Sequence, residues 1–206
     1  MLDKVVIVGY SGHAYVVAEA ALAMGMSLTH YCDIKKTKLD LFQLEYIGFE
    51  EDENFEGWHG DYRFILGIGD NETRNRTGLK VVAHDKQLLN VIHPSASYSK
   101  YFEMGAGNFI SRQVSVNALS KIGNFCILNT ACIIEHECQI GNAIHIAPGA
   151  VLAGNVVVGD LSFIGANAII KQGVKIGSNV IVGAGSVVLN DVPDNCTIIG
   201  NPGRKL

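Results

Sequence analysis

From residue 104 to residue 188 an aliphatic residue or methionine recurs every six positions without a miss: Met104, Ile110, Val116, Ile122, Leu128, Ile134, Ile140, Ile146, Leu152, Val158, Ile164, Ile170, Ile176, Val182 and Val188. A period of six fits neither an α-helix nor an isolated strand; it predicts a parallel β-helix of hexapeptides whose narrow interior the recurring aliphatics fill. Four residues after each ruler position the side chain is mostly small or β-branched, as at Cys126, Cys132, Cys138, Ala150, Val156, Ser162 and Ala168, which would complete each interior layer. The residue directly after the ruler position is often glycine (Gly123, Gly141, Gly159, Gly165, Gly177, Gly183), expected to supply backbone angles closed to other residues at the corners. Fifteen hexapeptides make about five triangular coils, on the order of 24 Å of stacked strands at ~4.8 Å each.

Upstream the pattern changes to that of a small α/β unit. Lys4 to Gly9 reads as a short apolar strand, His13 to Met24 has helical spacing and stops at Gly25, and Ser27 to Cys32 reads as a second strand ending in Asp33. After an irregular acidic stretch at 50–56, Tyr62 to Ile68 is a further strand, followed by a helix from Glu72 to Ala83. Strands alternating with helices predict a small Rossmann-like parallel sheet with ligand contacts at its carboxyl edge. Leu88 to Pro94 bridges into the repeat, with Ile92 already in the six-residue register, so the expected division is residues 1–90 and residues 91–206, packed together. The regular ladder is expected to end near Val188, leaving a turn-rich tail through Asp191-Val192-Pro193-Asp194 and Gly200-Asn201-Pro202-Gly203.

Composition narrows the function classes. A formal charge of −4 over 206 residues and a pI near 5.9 offer no basic footprint for nucleic acid. The start MLDKVVIVGY lacks the basic segment and long apolar run of a signal peptide, and no apolar stretch reaches spanning length, so no membrane insertion and a cytoplasmic location are expected. Cys126, Cys132 and Cys138 fall at the small-residue position of successive hexapeptides, on different sides of one coil, and read as interior filler instead of metal ligands. With Cys32 and Cys196 left over there is no disulfide framework, in keeping with a reducing compartment.

Two places carry candidate chemistry. Gly9-Tyr10-Ser11-Gly12-His13 follows a strand and opens a helix, where backbone N–H groups and the helix dipole can hold a phosphate. Its G-x-x-G spacing, with Tyr15 where a third glycine would stand, suits a mononucleotide-type ligand better than a dinucleotide, although such a loop can also be only a turn. Asp33, 21 residues after Gly12, is placed to accept from a ribose or base; a neutral His13 can donate to a phosphate or sugar oxygen; Gly67, Ile68 and Gly69 form a second close-approach loop at the same edge. The second place is the hexapeptide Ile134-Glu135-His136-Glu137-Cys138-Gln139, in which His136 should project outward beside Glu137, with His145 nine residues on. A histidine with a neighbouring carboxylate is the unit of a general base, whereas His136, Glu137 and His145 match no common metal spacing, and no metal is expected.

Together, the ladder, the Gly9-Tyr10-Ser11-Gly12-His13 loop, the Ile134 to Gly141 segment with His145 following and the Gly200-Asn201-Pro202 tail resemble the bacterial nucleotide-sugar N-acetyltransferases of 4-amino-4,6-dideoxy sugars, the bacillosamine enzymes among them. The resemblance covers essentially the whole chain. It implies an all-β left-handed parallel β-helix after the α/β part, a homotrimer with active sites in the grooves between subunits, and acetyl-CoA as donor. It further implies His136 as general base, Glu137 raising its basicity, and acetyl-CoA contacts at His145, Ala166 and Ala184, the last two eighteen residues apart on one corner. Sugar-nucleotide contacts would fall on Ser11, Gly12, His13, Asp33, Ile34 and Gly67. Ile34 stands where relatives often carry a polar residue, which leaves the base open among UDP, dTDP and GDP; resemblance favours UDP, in surface glycan or protein glycosylation. The expected reaction is acetylation of the sugar C4 amine. O-acetylation of a sialic acid and a non-enzymatic sugar-nucleotide-binding solenoid are the alternatives.

Overall fold

In the computed structural model, which describes residues 4–206, the amino-terminal apolar runs form one parallel sheet. Its strands are β1 (Lys4–Val8), β2 (Leu28–Cys32), β3 (Glu45–Tyr46) and β4 (Tyr62–Leu66), in the order β3-β2-β1-β4. The central β1 is buried along Val5–Val8, as a strand covered on both faces must be. Helix α1 (Gly12–Ala23) connects β1 to β2, a single turn α2 (Glu56–His59) precedes β4, and α3 (Asn71–Ala83) follows it. The edge strand β3 has only two residues, too short and too polar to show as a pattern in the sequence.

The hexapeptides form three parallel sheets, the faces of a triangular prism. The first face stacks Val91–Ile92, Phe109–Ile110, Ile127–Leu128, His145–Ile146, Phe163–Ile164, Ile181–Val182 and Thr197–Ile199. The second runs from Ser97–Tyr98 to Val187–Val188, the third from Glu103–Met104 to Lys175–Ile176. From Val91–Ile92 to Val187–Val188 each strand is two residues long: the second points inward and, from Met104 on, is the ruler residue, and the first points out. The interior is one continuous stack of ruler residues with Cys126, Cys132, Cys138, Ala150 and their equivalents, buried from Ile110 onward, with Met104 partly buried at its start. The ladder does not stop at Val188, as Thr197–Ile199 adds a further rung to the first face and Val192 bridges to Ile176 on the third. The tail then folds back as Arg204–Lys205, antiparallel to that last rung.

The corners overturn the expected role of the glycines. Left-handed angles fall three residues after each ruler position, not one: Gln113, Leu119, Phe125, Ala131, Glu137, Ala143, Asn155, Leu161, Asn167 and Asn179 have φ between +52° and +64°. The glycines directly after the ruler positions are absent from that set; they are small because successive coils touch there. A Cβ on Gly123 would lie 2.5 Å from Gly141 O, and one on Gly165 2.6 Å from Ala184 N. Close approach, not backbone freedom, selects glycine at these positions.

The α/β part packs on the first face. Outward-facing Val91, Phe109 and Ile127 share a core with Ile7, Ala14 and Val17, and the corner residues Phe125 and Ala143 join Leu66 and Val81. Gly78 on α3 makes room for Phe125, since a Cβ there would approach the phenyl ring to 2.8 Å.

Candidate active site

At the carboxyl edge of the sheet, Gly9 takes φ +79°, which turns the chain out of β1 and into α1. Asp33 Oδ2 accepts from Tyr10 N at 2.7 Å and Asp33 Oδ1 from Ile34 N at 2.7 Å, so this carboxylate orders the loop with one lone pair on each oxygen. Gly67 is needed for contact between the loops: its Cβ would meet Gly9 O at 2.6 Å and Ala14 Cβ at 2.7 Å. Ser11 takes extended angles at the α1 N-cap but makes no side-chain cap, and no acidic residue occupies the first turn. The exposed N–H end of a twelve-residue helix therefore faces outward beside exposed Ser11 and Gly12 and the 74 % exposed Ile34.

His13 lies under this edge with its ring 6.3 Å from that of His145, which stands edge-on to Phe163 at 5.0 Å. His145 is half-buried, because the α/β part covers its side of the first face. Burial, then the charge of Arg74, lowers His13 to about 4 and His145 to about 3, with His13 adding to the effect on His145. Both rings are neutral near pH 7. Asn129 Nδ2 lies 3.0 Å from His145 Nε2. Nε2 of His13 is buried without a hydrogen-bond partner, so Nδ1 is its available polar atom.

His136 and Glu137 occupy a different place, the corner between the second and third faces. Glu137 supplies the left-handed residue there (φ +62°), and this turn brings its Oε2 to 3.0 Å from His136 Nδ1. A carboxylate only accepts, so the shared proton sits on Nδ1 and leaves Nε2 as an acceptor. The ring lies over Gly154, one coil further on, where a Cβ would come within 2.6 Å of Nε2. Ala166 and Ala184 lie on the corner between the first and second faces, and Ala166 O accepts from Gly185 N at 2.8 Å. With Gly165 and Gly183 beside them, no large side chain projects from these two coils there, which leaves a narrow ledge that an extended chain with amide groups can follow.

The expected residues thus form three groups. Ser11, Gly12, His13, Asp33, Ile34, Gly67 and His145 gather where the sheet edge meets the first face; Ala166 and Ala184 flank that face; His136 and Glu137 stand at the corner opposite it. Between the α3 N-terminus (Gly69 to Glu72) and Phe163 and Ile181 on the first face lies a further concavity of about 350 Å³. Sequence reasoning missed Arg74, Asn129 and Gly154. Arg74 has a trace in the sequence, since it shares the helical stripe of Thr77, Gly78 and Val81 that α3 buries. Among the described residues no group of three His, Cys, Asp or Glu side chains is placed to hold a metal, and no helix is long and apolar enough to cross a membrane.

Residues 4–81 match the PglD N-terminal domain family, and residues 155–190 match the bacterial transferase hexapeptide (six repeats) family. GDP-perosamine N-acetyltransferase of Escherichia coli O157:H7 is 34% identical over 93 residues, 45% of this chain and 42% of that protein, so the matched segment spans less than half the length of that relative. The acetyltransferase domain of PglB from Neisseria gonorrhoeae FA1090, solved with acetyl coenzyme A, superposes with a TM-score of 0.92 at 32% identity, covering 98% of each chain. A histidine-to-asparagine variant of perosamine N-acetyltransferase from Caulobacter crescentus, solved with CoA and GDP-perosamine, superposes with a TM-score of 0.93 at 36% identity over 100% of this chain and 98% of that one.

Proposed function

The chain belongs to the hexapeptide-repeat N-acetyltransferases of 4-amino-4,6-dideoxy sugars, and on that premise we propose that it transfers an acetyl group from acetyl-CoA to the C4 amine of a nucleotide-linked 4-amino-4,6-dideoxy sugar, with His136 as the general base. The single observation that carries the base assignment is the His136–Glu137 pair, with Nδ1 held at 3.0 Å from the carboxylate and Nε2 left free. When bound, acetyl-CoA supplies the thioester carbonyl, and the family's complexes with acetyl coenzyme A and CoA support it as donor. Nε2 of His136 takes the amine proton as the C–N bond forms, and Glu137 sits where positive charge develops on the ring. CoA would leave as the thiolate with the C–S electron pair, and the proton held by His136 converts it to the thiol. Cys126, Cys132 and Cys138 are buried free thiols, with Cys126 and Cys132 pushed up to about 12 by burial, so no covalent acyl-enzyme is assigned to them.

The nucleotide sugar is assigned to the sheet edge. Its diphosphate would meet the uncapped N-terminus of α1 at Ser11 and Gly12, His13 Nδ1 would donate to a phosphate or sugar oxygen, and the base would lie on exposed Ile34 with the remaining lone pairs of Asp33 beside it. Gly67 serves this site by letting the two loops touch. Ala166 and Ala184 would carry the pantetheine. His145, whose Nε2 is engaged by Asn129, would contact the cofactor with the rest of its ring. We divide the chain at residue 90 into a sugar-nucleotide part and a transfer part, and place the enzyme in the cytoplasm.

One chain keeps base and nucleotide edge on different sides of the prism, which supports a homotrimer. The outward column of the second face reads Ser97, Ser115, Ile133, Val151, Ile169, Val187, aliphatic over its last four rungs, whereas that of the third reads Glu103, Lys121, Gln139, Val157, Lys175. Turning three second faces to a common axis buries the aliphatic column and sets the His136 corner of one subunit beside the Ala166–Ala184 corner of the next.

Uridine diphosphate is the first reading of the nucleotide, on the PglD-type amino-terminal part; guanosine diphosphate is the second, favoured by the two GDP-perosamine relatives. Release of free CoA with UDP-, GDP- and dTDP-linked 4-amino sugars decides among them, and release with a sialic acid alone would overturn N-acetylation. His136→Ala is expected to lower kcat by roughly 10² to 10⁴; near wild-type turnover would remove His136 as base.

A further inference from the structure

Arg74 has no part in the chemistry above, yet it is the largest fully buried side chain, at 1% exposure. Among the described residues no carboxylate lies in ion-pair contact with its guanidinium; Asp70, the N-cap of α3, acts on it only through space. Nε donates to Phe125 O at 2.7 Å, Nη1 to Gly69 O at 2.8 Å and Ile68 O at 3.2 Å, and Nη2 to Asn71 Oδ1 at 2.7 Å and Ala143 O at 3.0 Å. A buried cation without a contacting counter-ion is costly, and neighbouring Thr77, Gly78 and Val81 pack α3 on the prism without one. The choice of carbonyls points to a use for the cost. Phe125 and Ala143 are left-handed corner residues one coil apart, whereas Ile68 and Gly69 belong to the loop that abuts the Gly9 turn. One fork therefore ties the sheet edge to two rungs of the prism.

Asn71, which accepts from Arg74 Nη2, itself donates through Nδ2 to Leu161 O at 2.9 Å and Ser162 O at 3.1 Å. Arg74 and Asn71 therefore form one hydrogen-bonded chain from the Ile68–Gly69 loop to the corners of three successive coils, at Phe125, Ala143 and Leu161.

We propose that Arg74 is a positioning residue for the sugar-nucleotide edge: its planar fork, with Asn71, holds the Ile68–Gly69 loop against the Phe125, Ala143 and Leu161 corners. The proposal rests on the reading of that edge as the nucleotide-sugar site. The buried charge also acts on His13 in the first turn of α1, the side on which it favours a diphosphate.

Arg74→Lys keeps the charge and loses the fork. It is expected to raise KM for the nucleotide aminosugar about tenfold, with kcat and KM for acetyl-CoA within about twofold, as for loss of hydrogen bonds to a charged group. Amide hydrogen exchange at Ile68 and Gly69 is expected to speed up by about tenfold. A folded Arg74→Lys enzyme with all constants and that exchange unchanged, or with both KM values and kcat changed alike, would overturn the proposal. Where Arg74→Lys does not fold, Asn71→Ala leaves the guanidinium in place and removes one of its partners together with the Asn71 bonds to Leu161 O and Ser162 O; a rise of about threefold confined to KM for the nucleotide aminosugar supports the proposal, and no change overturns it. If the wild-type enzyme acetylates no nucleotide-linked aminosugar the functional reading fails, while exchange of the loop amides still tests the fork.

Discussion

At the scale of single residues, burial and one charge decide the behaviour of the histidines. The pKa of His13 falls to about 4 and that of His145 to about 3, first by burial and then by Arg74, so the unfolded chain binds more protons than the folded one between those values and about 6.5. Their contribution to stability is fully present above about pH 6.5 and is lost as pH falls towards 4 and 3. The urea midpoint should therefore drop steadily from pH 7 to pH 4, and a His13→Gln/His145→Gln double variant should show a flatter profile; equal slopes would contradict the assignment. Gly154 provides a second test, because its Cβ would come within 2.6 Å of His136 Nε2, the movable end of a side chain. Gly154→Ala should displace the ring and lower kcat by about tenfold or more, with the thermal midpoint little changed. An unchanged kcat would mean that the ring position over Gly154 is not the working one. The His136–Glu137 pair is legible in the sequence because its members are adjacent. The surroundings of His145 are not, since its neighbours His13 and Asn129 come from other segments of the chain.

At the scale of the element, the hexapeptide strand explains both what the sequence reveals and where it deceives. A two-residue strand has one inward residue, so the inward set repeats with an uninterrupted period that any reader of the chain can see. The left-handed corner leaves a fainter mark: the chain adopts it with Leu119, Phe125, Glu137, Ala143 and Leu161 as well as with asparagine and glycine. Where packing of the corner residue is valuable it outweighs the strain, as at buried Phe125, and where it is not the strain stands uncompensated, as at the 60% exposed Leu119 with φ +64°. Leu119→Asn should raise stability by about 0.5–1 kcal/mol, read from the denaturation midpoint, because asparagine tolerates that angle better. Phe125→Ala should cost about 3–5 kcal/mol through the cavity left between α3 and the prism. A stability change smaller than that of Leu119→Asn would show that the corner is not part of the junction.

At the scale of the whole molecule, the three functional groups lie on different sides of one prism, and the aliphatic column of the second face is the surface by which copies would bring them together. Ile169→Asp, within the aliphatic stretch of that column and 45% exposed in the single chain, should convert the proposed trimer to monomers in light scattering and remove activity while circular dichroism stays native. A trimeric, active Ile169→Asp enzyme would place the interface elsewhere. The sequence by itself determined the prism, its interior, the inward burial of three cysteines and the outward aim of His136, because each depends on a local period that backbone geometry imposes. Only the tertiary structure decided that glycines mark touching coils instead of strained corners, that Asp33 and Gly67 build the loop they border, and that Arg74 ties that loop to the prism. Those outcomes depend on contacts between segments dozens of residues apart, for which a chain carries no period.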